Sequence, residues 1–188
     1  MRNFISRLIK KIKIKYYWRT YERQIKYLRE LGAIVWDGTR FLCDLSTFGS
    51  EPYLIEIGSD CLITHGCRFI THDGGVKVLN SANYFNGKRM DKMGRIKIGN
   101  NVDMGNYATI LPNVTVGDNV IIGINSIVTK DVPSNCVVAG IPARVICTLQ
   151  EYYDKNSKKG VFTETALMPY SQKKEFLEKN LPKRWIVL

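Results

Sequence analysis

The chain has 188 residues, 45% hydrophobic and 24% charged, with a formal net charge of +11. That is enough apolar material for one cored domain with short appendages, and it excludes a wholly disordered chain. The charge is uneven: residues 1–30 carry ten Lys and Arg against Glu22 and Glu30, a net +8, while the rest carries eighteen against fifteen. A basic arm without a recognition motif does not make a nucleic-acid-binding protein.

In chain order, the arm comes first. Ile5, Leu8, Ile12, Tyr17, Tyr21, Ile25 and Leu28 recur at helical spacing, which predicts one amphipathic helix over 2–31 stopped by Gly32. Lysines interrupt every apolar run of "MRNFISRLIKKIKIKYYW", so neither a signal-peptide core nor a membrane span of about 20 residues is expected. The expected location is the cytoplasm. Lys10, Lys11, Lys13 and Lys15, interleaved with Ile and Tyr, could rest on anionic lipid as a peripheral membrane contact. Alternatively they face water while the apolar side caps the first turn of the domain. Cys43, Cys61, Cys67, Cys136 and Cys147 form no CxxC pair and no metal spacing, and read as buried fillers of a reduced protein.

A six-residue period follows. From Ile98 the lead positions are Ile98, Met104, Ile110, Val116, Ile122 and Val128, and four places on come Val102, Ala108, Val114, Val120, Ser126 and Val132. Gly, Asn and Asp sit between them, residues that tolerate positive φ at corners. Each hexad is then a short strand plus a corner, three hexads return the chain to its starting direction, and a triangular parallel β-helix results, with turns about 4.8 Å apart. The phase is also present at Ile57, Ile63 and Phe69 with Cys61 and Cys67, and more faintly at Val35 and Phe41 with Thr39 and Leu45. Phe69 and Ile98 are out of phase, so residues from about 74 to 95 leave as an extruded loop. An all-β sandwich would place turns every 8–12 residues and fits the hexads poorly. Beyond "AGIPAR", Ser171 is a candidate N-cap for a helix over "QKKEFLEKNL", ended by Pro182.

The hexads, the loop and the ending "IVTKDVPSNCVVAGIPARVI" closely resemble the hexapeptide-repeat acyltransferases, within them the sugar O-acetyltransferases. The resemblance implies a mainly β fold, a left-handed parallel β-helix over residues 33–148. A basic N-terminal helix (1–32) precedes it and a helical tail (149–188) follows. It also implies homotrimers, acetyl-CoA as acyl donor, and an active site between subunits. A histidine just before the loop serves as base in the family; here that is His72 in "FITHDGG". Asp73, beside it, and Glu51, one coil away, are the two candidates to orient its ring. By the family's pattern, Gly105 and Gly123 leave room for the pantetheine arm. The backbone at Asn106 meets the thioester carbonyl, that at Ile124 binds the arm, and Lys130 and Arg144 serve the coenzyme's phosphates. Asp103 stands where sugar acetyltransferases can carry a tryptophan, and Cys147 replaces a further basic residue.

The chemistry agrees with those residue types. An alcohol needs a base before it attacks a thioester, and a positioned imidazole contributes about 10²–10⁴-fold. In the loop, Tyr84, Phe85, Asn86, Lys88 and Arg89 suit a sugar ring and an acidic or diphosphate-linked glycan, though a polar surface loop would look the same. His65 reads as an outward-facing surface histidine. The related zinc carbonic anhydrases use three histidines from two subunits, a site that two histidines per chain hardly build, so no metal is expected. The expected reaction is acetyl transfer, without an acyl-enzyme, to a saccharide hydroxyl, on a precursor of capsule, O-antigen or exopolysaccharide, the acceptor being nucleotide- or lipid-linked. N-acetylation of a nucleotide-linked amino sugar, and a noncatalytic β-helix scaffold, remain the alternatives.

Overall fold

The six-residue period becomes three sheets of parallel strands. In the computed structural model, which describes residues 12–181, the first sheet holds, in order, β1 (Ile34–Val35), β3 (Ile55–Ile57), β6 (Ile96–Ile98) and β9 (Val114–Val116). The second holds β2 (Arg40–Phe41), β4 (Leu62–Ile63), β7 (Val102–Met104), β10 (Val120–Ile122) and β12 (Cys136–Gly140). The third holds β5 (Arg68–Phe69), β8 (Thr109–Ile110) and β11 (Ile127–Val128). The chain visits the sheets in rotation, so they are the faces of a three-sided coil. Ile98 pairs with Val116, and Met104 with Ile122, so one turn takes three hexads.

All six lead positions from Ile98 to Val128 are buried, as are the six positions four places on, from Val102 to Val132. Each fully buried Val or Ile contributes roughly 1.5–3 kcal/mol, which is why the period tolerates so little drift. Ser126 also points inward, and its Oγ accepts from Gly140 N at 3.2 Å. One corner is held by an amide ladder, with Asn101 donating to Asn119 and Asn119 to Asn135, each at 2.9 Å. Cys43, Cys61, Cys67 and Cys136 are buried fillers, and burial pushes the Cys43 thiol up to about 11.

The first turn departs from the hexads. Asp44 accepts from Ser46 N at 2.8 Å and starts a 3-10 helix, Leu45–Phe48, which takes the place of a third strand. Leu45 is consequently only half-buried, and Phe48 fills the interior between Phe41 and Phe69, with ring centroids 5.5 Å from each.

The N-terminal expectation needs correction. Among the described residues the helix is broken at 18–20: residues 12–17 are helical, and α1 (Tyr21–Glu30) starts afresh with Thr20 as N-cap, accepting from Arg23 N. Thr20 offers its hydroxyl to a helix start, so the apolar spacing that runs through Tyr17 and Tyr21 does not carry the helix across it. The two segments fold together through Tyr17 stacked on Tyr27 at 4.9 Å and Lys13 paired with Glu30 at 3.0 Å. Trp18 Nε1 donates to Cys43 O at 2.7 Å, and Leu28 is wholly buried against the first coil's core. Ile5, Leu8, Lys10 and Lys11 lie outside the described residues.

At the far end β13 (Ala143–Thr148) turns back antiparallel on β12, a hairpin the hexads did not announce. The chain divides into two compact units, one up to Leu149 and a tail from Gln150. The tail includes most of α3 (Leu149–Lys158) and α4 (Tyr170–Asn180). The N-cap of α4 is Pro169, not Ser171, because the fixed φ of proline already presents the chain for the first turn. Pro182 lies outside the described residues.

Candidate active site

Where β5 ends, the inward alternation continues for one more step, from buried Phe69 to buried Thr71. His72 comes next, at the foot of the loop. That foot is zipped shut: Asp73 N donates to Lys92 O at 2.9 Å, Gly94 N to Thr71 O at 2.8 Å, and His72 bridges Met93. The loop is not structureless, since it opens with a short helix, α2 (Val76–Ser81), and Asn80 clasps the backbone of Met90 at 2.8 and 2.9 Å.

Glu51 reaches the foot from the previous turn. Its Oε2 lies 2.9 Å from His72 Nδ1 and accepts from Thr71 Oγ1 at 2.7 Å. The Glu51 side chain is 15% exposed and that of His72 is 52% exposed. Hydrogen bonds from Ser50, Thr71 and His72 hold the Glu51 carboxyl down at about 2. An ionised carboxylate only accepts, so Nδ1 carries the hydrogen and Nε2 presents a lone pair. Sequence reasoning missed Thr71; its signal was the alternation from Phe69, which turns a hydroxyl inward beside the histidine.

Asp73 is engaged elsewhere. Its Oδ2 pairs with Lys92 Nζ at 2.7 Å, its Oδ1 accepts from Gly75 N at 2.8 Å, and both hold its carboxyl below the usual range. Tyr84, Asn86, Lys88 and Arg89 are all exposed on the loop. Among the described residues no hydrogen bond or ion pair joins them to His72 or Glu51.

Gly105, Asn106, Gly123 and Ile124 lie on a different corner, between the second and third sheets, whereas Lys130 falls on His72's own corner, two turns further on. Asn106 and Ile124 are exposed there in successive turns, with Asn106 O accepting from Asn125 N at 2.9 Å. Among the described residues neither Asn106 N–H nor Ile124 N–H is given to an acceptor. Gly105 and Gly123 also have a steric reason to be small. A Cβ on Gly105 would lie 2.8 Å from Ile122 O and Ile124 N, and one on Gly123 would lie 2.9 Å from the Ala139 side chain. The close approach of stacked turns demands them. Lys130 and Arg144, fourteen positions apart, line one cleft of about 220 Å³ with Asp131, Val132 and Val138. Asp103 stands on the outer face of the second sheet, paired with Leu62 and Ile121, and its Oδ1 is buried without a partner. Burial raises its carboxyl above the usual range. His65 is exposed, as its phase predicts. Among the described residues no three His, Cys, Asp or Glu side chains cluster to hold a metal ion.

No protein-family model matches the chain. Over 151 residues, 80% of this chain and 84% of the relative, it is 42% identical to Protein CapG of Staphylococcus aureus. Over 67 residues, 34% of this chain and 33% of the relative, it is 52% identical to the galactoside O-acetyltransferase of Escherichia coli K12. Its fold resembles that of a hexapeptide-repeat acetyltransferase from Vibrio cholerae, with a TM-score of 0.51 over 70% of this chain and 82% of that one, at 21% identity. The repeat, the three-sided coil and these relatives together place the chain in the hexapeptide-repeat acyltransferase family, among its sugar O-acetyltransferase-like enzymes.

Proposed function

We propose that the protein transfers acetyl from acetyl-CoA to a hydroxyl of a saccharide, with His72 as general base and Glu51 orienting it. The observation that carries this reading is the His72–Glu51 contact at 2.9 Å, which leaves Nε2 free at the foot of the extruded loop. The acceptor hydroxyl gives its proton to Nε2 as its oxygen bonds to the thioester carbonyl carbon. The N–H of Asn106 stabilises the resulting oxyanion. The C–S bond then breaks, and the imidazolium returns the proton to the departing thiolate, so no acyl-enzyme forms. Lys130 and Arg144 hold the coenzyme's phosphates by charge.

The register supports an active site shared between copies of a left-handed homotrimer. Phe69 pairs with Ile110, so the column of His72 continues at Asn113, seven residues after Asn106. At ~3.3 Å per residue the base and the oxyanion donor of one chain are separated by on the order of 15–20 Å, a whole face of the coil. A second copy brings its own Asn106 corner to the first copy's His72.

The acceptor in this reading is a precursor of capsule, O-antigen or exopolysaccharide, with loop residues Tyr84, Asn86, Lys88 and Arg89 touching it. The relative named for galactoside acetylation supports the saccharide class. Free-thiol release from acetyl-CoA with a panel of sugars and nucleotide sugars tests the proposal. Release that depends on a sugar hydroxyl is expected, together with a rise in the thermal midpoint on adding millimolar coenzyme A. Release only with an amino sugar would move the reaction to N-acetylation. Neither release nor a thermal response would leave a noncatalytic scaffold.

A further inference from the structure

The corners of the coil are turned by residues at positive φ, and among the described non-glycine residues at those corners six of seven are Asn or Asp: Asp60, Asn101, Asn113, Asn119, Asn125 and Asn135. The seventh is Tyr107, at φ +62. A bulky aromatic in the left-handed region is strained, and an Asn at the same place would not be. Asn125 occupies the equivalent place one turn further on, with its N donating to Asn106 O at 2.9 Å. The chain thus has the relaxed solution at hand and does not use it at 107.

The tyrosine is not repaid by burial, since it remains 62% exposed. Its ring leans over Gly66 in the preceding turn, so closely that a Cβ on Gly66 would overlap Cδ1 and Cε1. Gly66 therefore makes room for this ring and for its direction. The direction matters. Ile124 lies one turn toward the C-terminal end, whereas Gly66 and His72 belong to the same turn, β4 to β5, on the other side of Asn106. The ring thus points away from the coenzyme arm and toward the level of the base.

We infer that Tyr107 is a specificity-determining residue whose exposed ring stacks against the apolar face of the acceptor's pyranose, beside the thioester held at Asn106. This rests on the transfer reaction proposed above. Strain held at an exposed aromatic next to a reacting carbonyl is the pattern of a residue kept for binding rather than for folding.

The test compares Tyr107→Asn and Tyr107→Phe with the wild type, using acetyl-CoA and p-nitrophenyl glucoside, galactoside and N-acetylglucosaminide as acceptors. Tyr107→Asn is expected to raise the thermal midpoint by about 3 °C as the strain is released. It is also expected to raise the acceptor KM roughly tenfold, with the KM for acetyl-CoA unmoved. Tyr107→Phe keeps the ring, and should retain most of the acceptor affinity without gaining stability. An unchanged acceptor KM in Tyr107→Asn, or a lowered midpoint, overturns the inference. So does loss of oligomeric mass, which would make the ring an interface anchor. Failure of the wild type to acetylate any of the three pyranosides overturns the pyranoside assignment. An absent thermal response of the wild type to coenzyme A overturns instead the donor reading beneath it.

Discussion

An imidazole held by an ionised carboxylate has its tautomer fixed, and this separates His72 from His65, the only other histidine. Replacing Glu51 by Gln puts an amide that can donate against Nδ1, and a donor there favours the wrong tautomer. Glu51→Gln should lower kcat by on the order of 10²-fold or more, with the KM for acetyl-CoA unchanged. The same contact carries a pH dependence. The carboxyl is held at about 2 in the fold against an ordinary 4.5, so its stabilising contribution is present above about pH 4.5 and is lost as the pH falls toward 2. Over that window the wild-type thermal midpoint, followed by circular dichroism, should fall more steeply than that of Glu51→Gln. Parallel curves would mean that Glu51 is not engaged as described. From the sequence, Asp73 and Glu51 were equal candidates, because adjacency along the chain favours one and stacking of turns favours the other. Lys92 decides between them geometrically by pairing with Asp73, and Lys92 comes from the far foot of a loop whose path has no periodic signal.

At the scale of elements, the coil was legible because each hexad repeats the same burial demand. Twelve positions in fixed phase from Ile98 to Val132 all face the interior. The parts that escaped have no such demand. Helix α2 buries no residue, so it has no apolar face to read. The break before α1 depends on one hydroxyl, Thr20, inside an otherwise continuous apolar spacing. At the corner between the second and third sheets, the stacking of turns by itself requires glycine at 105 and 123. Gly105→Ala should therefore destabilise the protein by about 1–3 kcal/mol, seen as a fall of several degrees in the thermal midpoint without any ligand. An unchanged midpoint combined with weakened coenzyme binding would make room for the ligand the reason instead.

For the whole molecule, the proposed mechanism makes assembly a condition of activity, because His72 and Asn106 of one chain stand a whole face apart. Light scattering should give about 65 kDa, three times the 21.5 kDa chain. Complementation is a sharper test of the shared site. His72→Ala chains and chains carrying Ile124→Glu, which puts a charge on the exposed Asn106 corner, should each be nearly inactive alone. Refolded together, they should recover about a quarter of the wild-type rate, because in random trimers that fraction of sites pairs an intact base with an intact coenzyme corner. No recovery would place both halves of the site in one chain. Proton removal by His72 is tested by free-thiol release from His72→Ala with a sugar acceptor that the wild type acetylates. The expected result is a loss of roughly 10²–10⁴-fold in kcat, with the thermal midpoint and its rise on adding coenzyme A preserved. An unchanged rate from a folded, coenzyme-binding variant would contradict it.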